Sequence, residues 1–386
     1  MRHSFALLLA SATATALTTV PLLAQFPGLS LPPSGNTQKA AVTQFIGPVK
    51  VTIEYSSPAV HGPSQTSPEI VDRRGKIWGG LVPYGLTDLG FGHRKPSPWR
   101  AGANENTVFA VSHDVLIEGQ RLAAGRYGLH MIASPEEWTL IFSQDNAVWG
   151  SFFYEESRDA LRVKVKPHKH EYREYLVYDF VTRKPEEATV ELQWEDLAVG
   201  WNIKVTDANP IYLSRIRSEL HNSTGFTWQA WVEAVNFCLQ INSNYDEALQ
   251  WADYAITGAF VGQANFQTLS AKAQVLSRLK REDEAAKLML TALEHPTATP
   301  PQIHQYGRQL LAAKKNKEAL EVFQVNARKH GDTWPVHVGL ARGYAAVGDN
   351  AKALEHARKA LAQAPDDVNK KSLEGLVKSL SGGGQN

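Results

Sequence analysis

The chain has 386 residues, too many for one ordinary domain, and 43% of them are hydrophobic, enough for a sizeable core. Its 40 Lys and Arg stand against 39 Asp and Glu, a formal charge of +1. That balance excludes the basic footprint a nucleic-acid binder needs.

Residues 1–24 read as an export signal. Arg2 and His3 supply a positive start, Phe5 to Ala10 opens an apolar region, and Ala24 offers a small residue for cleavage before Gln25. The unbroken apolar run is far shorter than the ~20 residues of a spanning helix. No cysteine lies nearby to carry a bacterial lipid anchor. The expected address is periplasmic or secreted, with no stable membrane span. Residues 25–42, rich in Pro, Gly and Ser, read as a flexible linker.

From Val49 the pattern changes to period two: Val49, Val51, Ile53 and Tyr55 alternate with Lys50, Thr52 and Glu54. This predicts a half-buried strand. Similar short runs follow at 107–111, 114–118, 127–132, 138–142, 162–166, 175–180, 189–194 and 199–205. Glu118-Gly119-Gln120 is a predicted hairpin tip. No amphipathic helix separates the runs, so an antiparallel β-sandwich over residues 43–205 is the expected closure.

One block within this region is distinctive. It holds Gly79-Gly80-Leu81-Val82-Pro83-Tyr84-Gly85, Trp99-Arg100, Gly102-Ala103-Asn104-Glu105 and Ala124-Gly125-Arg126-Tyr127-Gly128-Leu129. Glu137-Trp138-Thr139, Trp149-Gly150 and Arg162-Val163 follow. These pieces, in this order, resemble the secreted bacterial domain-of-unknown-function family 2911. The resemblance implies a shared β fold and brings no activity with it. In the family Pro-Tyr-Gly passes almost directly to Trp-Arg; here Leu86 to Pro98 intervene, an extra loop beside the most distinctive residues.

Residues 206–224 read as a connector. Within it Asn222-Ser223-Thr224 fits a glycosylation acceptor but in this setting marks a turn. Beyond it the language becomes helical over 225–380. Ala285, Ala319 and Ala353 recur at intervals of 34, as do Gly307 with Ala341 and Phe323 with Ala357. Asn244 to Leu249 opens an earlier unit with a slightly longer spacing. Tyr344, Gly348, Ala353, Ala360 and Pro365 fall where a tetratricopeptide repeat places its packing residues, turn and closing proline. The stretch resembles such repeats. About four units, with a capping helix near 371–380, are expected to stack into a solenoid, because each helix pair has an apolar face that only a neighbour covers. Cys238 is the single cysteine, so no disulfide forms within the chain. Its apolar neighbours Val235, Phe237 and Leu239 predict a buried structural thiol.

Signatures of chemistry are sparse. No Gly-x-Ser-x-Gly elbow, Walker loop or dinucleotide fingerprint occurs, and no cofactor is expected. His168 and His170 sit at strand spacing that could hold a metal, but Lys164, Lys166, Lys169 and Arg173 surround them, and no metal site is assigned. The aromatic set Trp78, Tyr84, Trp99, Tyr127, Trp138 and Trp149 suits either a core or a flat docking face for sugar or peptide. Arg100 could clamp a carboxylate or pair with Glu105. His130 lies on the strand face opposite Leu129 and Met131, either lining a concavity or standing on the surface. The candidate ligand-binding residues are therefore Tyr84, Trp99, Arg100, Asn104, Glu105, Tyr127 and His130, with catalytic residues unknown.

The leading expectation is an exported, non-catalytic interaction protein. Its repeats would dock a protein or peptide, and its β-domain would bind a glycan, peptide or other small ligand. The alternative is a hydrolase of cell-wall or extracellular carbohydrate, with Glu105 working beside Glu155, Glu156 or Asp159.

Overall fold

The computed structural model describes residues 37–63 and 69–382. The predicted export signal and the linker as far as residue 36 lie outside the described residues. The described residues up to Thr206 form one compact unit and those from Asp207 a second.

The first unit contains strands β1 (Gln38–Ile46), β2 (Val49–Ser57), β3 (His61–Pro63), β4 (Ile70–Asp72), β5 (Thr87–Asp88), β6 (Pro96–Ser97) and β7 (Thr107–Val111). They continue with β8 (Val115–Ile117), β9 (Gln120–Leu122), β10 (Gly125–Ile132), β11 (Trp138–Ser143), β12 (Asp159–Val165), β13 (Pro167–Arg183) and β14 (Glu187–Lys204). One sheet runs β1-β2-β7-β10-β11-β12 and the other β13-β14-β8-β9, with small ribbons β3-β4 and β5-β6. The pairings within both main sheets are antiparallel.

Side chains meet between the sheets. Tyr55 of β2 lies edge-on to Tyr178 of β13 with ring centres 4.8 Å apart, and Trp138, Trp194, Trp201, Phe109 and Phe142 are fully buried. Burial of this many large rings supplies the main driving force, about 1.5–3 kcal/mol for each large apolar side chain.

Two expectations need correction. The linker does not reach residue 42: β1 starts at Gln38 and pairs with β2 from Gln38 opposite Ser57 to Ile46 opposite Val49. Its Gln, Lys, Ala and Thr residues alternate too weakly to announce a strand. The predicted strands 189–194 and 199–205 are one element, β14. Glu195, at φ 57°, and register shifts opposite Lys169–Val177 bend the long ribbon without ending it. The hairpin tip forms as read, with Glu118 and Gly119 both at positive φ between β8 and β9.

The second unit opens with α1 (Asn209–Leu220), so the predicted connector holds a helix. The side chain of Asn222 accepts from Thr224 N–H and makes the turn expected there. Four helix pairs follow among the described residues: α2 (Trp228–Gln240) with α3 (Tyr245–Thr257), α4 (Phe266–Arg278) with α5 (Glu282–Glu294), α6 (Pro300–Ala312) with α7 (Asn316–His330), and α8 (Trp334–Ala346) with α9 (Asn350–Ala362). The closing helix α10 spans Asp367–Gly382.

Four of these starts are locally encoded. Thr227 caps α2, an Asn265/Thr268 capping box opens α4, Pro300 begins α6, and Asp349 accepts from Lys352 N–H at α9. The turns inside the last three pairs repeat atom for atom. Lys280, Lys314 and Gly348 are left-handed, and the next residue's N–H returns to the carbonyls of Leu276, Leu310 and Tyr344. Ala248, Ala285, Ala319 and Ala353 are all buried. Around Phe323 the array is tightest: a Cβ added at Gly307, Gly339 or Gly343 would fall 2.3, 2.5 or 2.8 Å from that ring. Cys238 is buried, and burial pushes its thiol up to about 11, which makes it inert at neutral pH.

Candidate functional site

In the β unit a cavity of about 430 Å³ is lined by Trp99, Arg100 and Asn104 together with Pro83, Gly85 and Trp194. The inserted segment contributes Thr87, Leu89, Ser97 and Pro98, so it forms one wall. That wall is fastened: Lys95 and His93 both reach Glu155, at 2.9 and 2.7 Å, and Phe91 packs edge-on to Phe152.

Trp99 is anchored by a two-way backbone bridge to Met131, and its indole N–H donates to Gly102 O at 3.1 Å. Its ring stacks on Trp194 and meets Trp78 and Trp138 edge-on. Four indoles therefore build a core, and Trp99 alone of the predicted aromatic set lines this cavity. Tyr84 is 44% exposed beside it, with its ring against Gly79; Trp149 is 55% exposed. Tyr127 is buried and donates its hydroxyl to Ala123 O.

Arg100 and Glu105 do not pair with each other. Arg100 Nη1 donates to Asn104 O at 2.7 Å, and its guanidinium packs over Phe152 and against Gly150. Burial pushes that guanidinium below its ordinary value. Asn104 itself is left-handed, and its amide donates to Thr37.

Glu105 lines a different cavity, of about 420 Å³, with Lys39, Glu54 and Ser56. Lys39 Nζ lies 2.9 Å from Glu105, and Ser56 donates to its second oxygen. Partial burial pushes this carboxyl up, but Lys39, the residue's own N–H and Ser56 outweigh it and hold it below its ordinary range. A general acid needs the opposite shift. The other carboxylates have their own partners: Glu54 meets Arg126, Glu155 meets Lys95, and Glu156 and Asp159 meet Arg162. The geometry gathers no acid–base pair around Glu105.

His130 is neither on the surface nor beside an open concavity, as the strand pattern had allowed. It is 1% exposed, its Nδ1 is 2.8 Å from Ser151 Oγ, and Tyr154 lies edge-on to its ring. The segment after β11 covers this face of β10, which strand alternation could not foresee. Burial first, then the nearby Arg100 charge, push His130 down to about 4. His168 faces Glu191 at 3.5 Å, while His170 donates to Glu171 O. Among the described residues no group of three or more His, Cys, Asp or Glu is assembled for a metal.

In the helical unit a groove opens between two of the first helices. Gln229, Glu233, Asn236, Gln267, Ser270 and Gln274 line a groove of about 280 Å³ between α2 and α4. Counting 34 residues on from Gln274 gives Arg308 on α6, and 34 more gives Arg342 on α8. No motif marks these residues, although the 34-residue interval between Ala319 and Ala353 also aligns them. No described helix is long and apolar enough to cross a membrane.

The family model described as "Protein of unknown function (DUF2911)" matches residues 37–203. No curated protein matches the chain. Among solved structures, the chain is similar to YrrB, described as a TPR protein with an unusual peptide-binding site. They share 20% identity over 43% of this chain and 84% of that one, with a TM-score of 0.29. It is also similar to TTC0263, a thermophilic TPR protein of Thermus thermophilus, at 17% identity over 45% and 90% of the two chains and a TM-score of 0.30. A tetratricopeptide repeat protein from Parabacteroides merdae gives 14% identity over 44% and 66%, with a TM-score of 0.30. The repeat architecture itself is carried by the four helix pairs and their 34-residue interval. Residues 37–203 thus match the model of the DUF2911 family, and a tetratricopeptide-type helical array follows them.

Proposed function

We propose that this is an exported interaction protein whose helical array docks a polypeptide partner and whose β unit holds a small ligand. One observation carries the docking reading. The groove between α2 and α4 is lined mainly by amide and hydroxyl side chains beside Glu233 and Trp228, and amides and hydroxyls can hydrogen-bond a peptide backbone in either direction. The ligand reading draws on the cavity bearing Trp99, Arg100 and Asn104, where apolar walls meet a few polar groups. Export draws on residues 1–24 alone.

The test uses the full chain. A photo-crosslinking side chain placed at Gln274, in the groove, is expected to capture a polypeptide partner in cells. The same group at Lys287, exposed on α5, is expected to capture none. Equal capture from both positions contradicts the docking reading.

A further inference from the structure

We propose that the β unit holds a second site, apart from the Trp99 cavity, that takes an alkylammonium group on the buried carboxylate of Glu195. That chemistry belongs to a small free amine or to a lysine side chain.

The site is a cavity of about 310 Å³ lined by Arg74, Gly75, Trp78, Tyr172, Glu195 and Asp196. It shares no lining residue with the cavity that bears Trp99. Its volume is at the small end of the ~300–1,000 Å³ range of ligand pockets, so it suits one functional group on a short stem.

The backbone of β14 brings a carboxylate here. Strand alternation would turn Glu195 away from the core that Trp194 enters. Instead Gln193, Trp194 and Glu195 are buried in succession, and Glu195 is left-handed at φ 57°. It is 5% exposed, and its Oε1 accepts the Gly75 N–H. The second oxygen has no donor among the described residues.

The bond to Gly75 accounts for an acceptor but not for a charge. A glutamine would accept the same N–H, and a buried carboxylate without a counter-charge is costly. The neighbouring cations do not supply that counter-charge. Arg74 is fastened to Asp72, its Nε at 2.9 Å and its Nη2 at 2.6 Å from Oδ2. His61 lies 2.8 Å from Glu174, which also accepts the Tyr172 hydroxyl. Arg173 stands opposite Glu195 in the strand register, yet the two form no ion pair. Asp196, exposed beside Glu195, has no cation of its own among the described residues.

The walls select the kind of cation. Trp78 and Tyr172 line the cavity, and a cation over an indole or phenol face is attracted by the ring. An alkyl stem packs on the same aromatic surface. An ammonium group brings N–H donors that carboxylates accept in charge-assisted bonds. Calcium fits less well, because it asks for about six to eight oxygen ligands, and two carboxylates line this cavity.

Calorimetric titration of the full chain tests this with butylamine and with N-acetyl-lysine amide. Butanol is the uncharged control and calcium chloride the rival cation. Saturable binding of an amine at millimolar concentration is expected, weakened about tenfold or more by Glu195→Gln and several-fold by Asp196→Asn and Tyr172→Ala. Glu136→Gln, exposed before β11, is expected to leave it unchanged. Tighter binding of butylamine assigns a free amine, and tighter binding of the lysine derivative assigns a side chain; both uphold the site. Melting without ligand gives an independent reading. Glu195→Gln sheds a buried charge and keeps its bond to Gly75, so it is expected to melt no lower than the parent protein. A lower melting temperature in that variant, or its full affinity for amine, overturns the proposal. So does equal binding of butanol, tighter binding of calcium, or no saturable binding of either amine.

Discussion

The two units differ in where their polar side chains are held. In the β unit, Glu54, Glu105, Glu155 and Asp159 each have a cation of their own, and His130 is sealed against Ser151. In the array, Gln267, Ser270 and Gln274 line a groove between α2 and α4, and ion pairs such as Arg217–Glu247 and Lys272–Asp253 form as well. Residues that identify a unit build it: Trp99, Arg100 and Tyr127 fasten loops in the β unit, while Ala285, Ala319, Ala353 and Gly307 let helices touch. The motifs leave Gln267 and Gln274 unspecified, and these line the groove between α2 and α4.

The largest effect is expected at the tightest point of the array. Phe323→Ala empties the space that Gly307, Gly339 and Gly343 enclose, and is expected to destabilise the protein by about 3–5 kcal/mol in urea melts followed by helix content. A loss below about 1 kcal/mol would mean that the helices there pack loosely, and the contrast between units would fail at its structural end.

The next effect belongs to the β unit and is a pH dependence. His130 is pushed from 6.5 to about 4 by burial and by Arg100. Its unfolded form takes up a proton first as pH falls, so its contribution is complete above about 6.5 and is lost on the way down to about 4. Thermal melts between those values are expected to show a loss on the order of a few kcal/mol. His304 adds to this fall with the same sign. His130→Gln is expected to flatten the His130 share, measured as a shallower slope of melting temperature with pH. An unchanged slope would show that this histidine titrates normally, and so is not sealed.

Much of the array was legible in the sequence because its constraint is periodic. Small residues must recur wherever backbones meet, and 34-residue counting finds Ala319, Ala353, Gly307 and Ala341 without coordinates. The β unit was legible as alternation, and its family as a string of turns and aromatics. What stayed hidden was non-local. His130 was placed on the correct side of its strand, but only the fold brings Ser151 and Tyr154 over it. The Arg100–Glu105 pair looked natural by proximity, yet Lys39, far away in sequence, takes Glu105. β1 escaped notice because its residues pair through register with β2 rather than through a strong pattern of their own.

A smaller effect sharpens the contrast at the turns. Lys280 and Lys314 occupy the left-handed position that Gly348 fills in the last pair, at φ 64° and 60°. A side chain is strained there and glycine is not. Lys314→Gly is expected to stabilise the array by about 0.5–1 kcal/mol in the same melts, whereas glycine in a helix interior costs about that much. Destabilisation would show that the lysine side chain contributes more than its backbone strain removes.

Docking through the α2–α4 groove is tested most plainly by photo-crosslinking from Gln274 on α4 against Lys287 on α5 in the full chain. Capture of one polypeptide from Gln274 and none from Lys287 is expected. Equal capture from both positions would contradict docking in that groove.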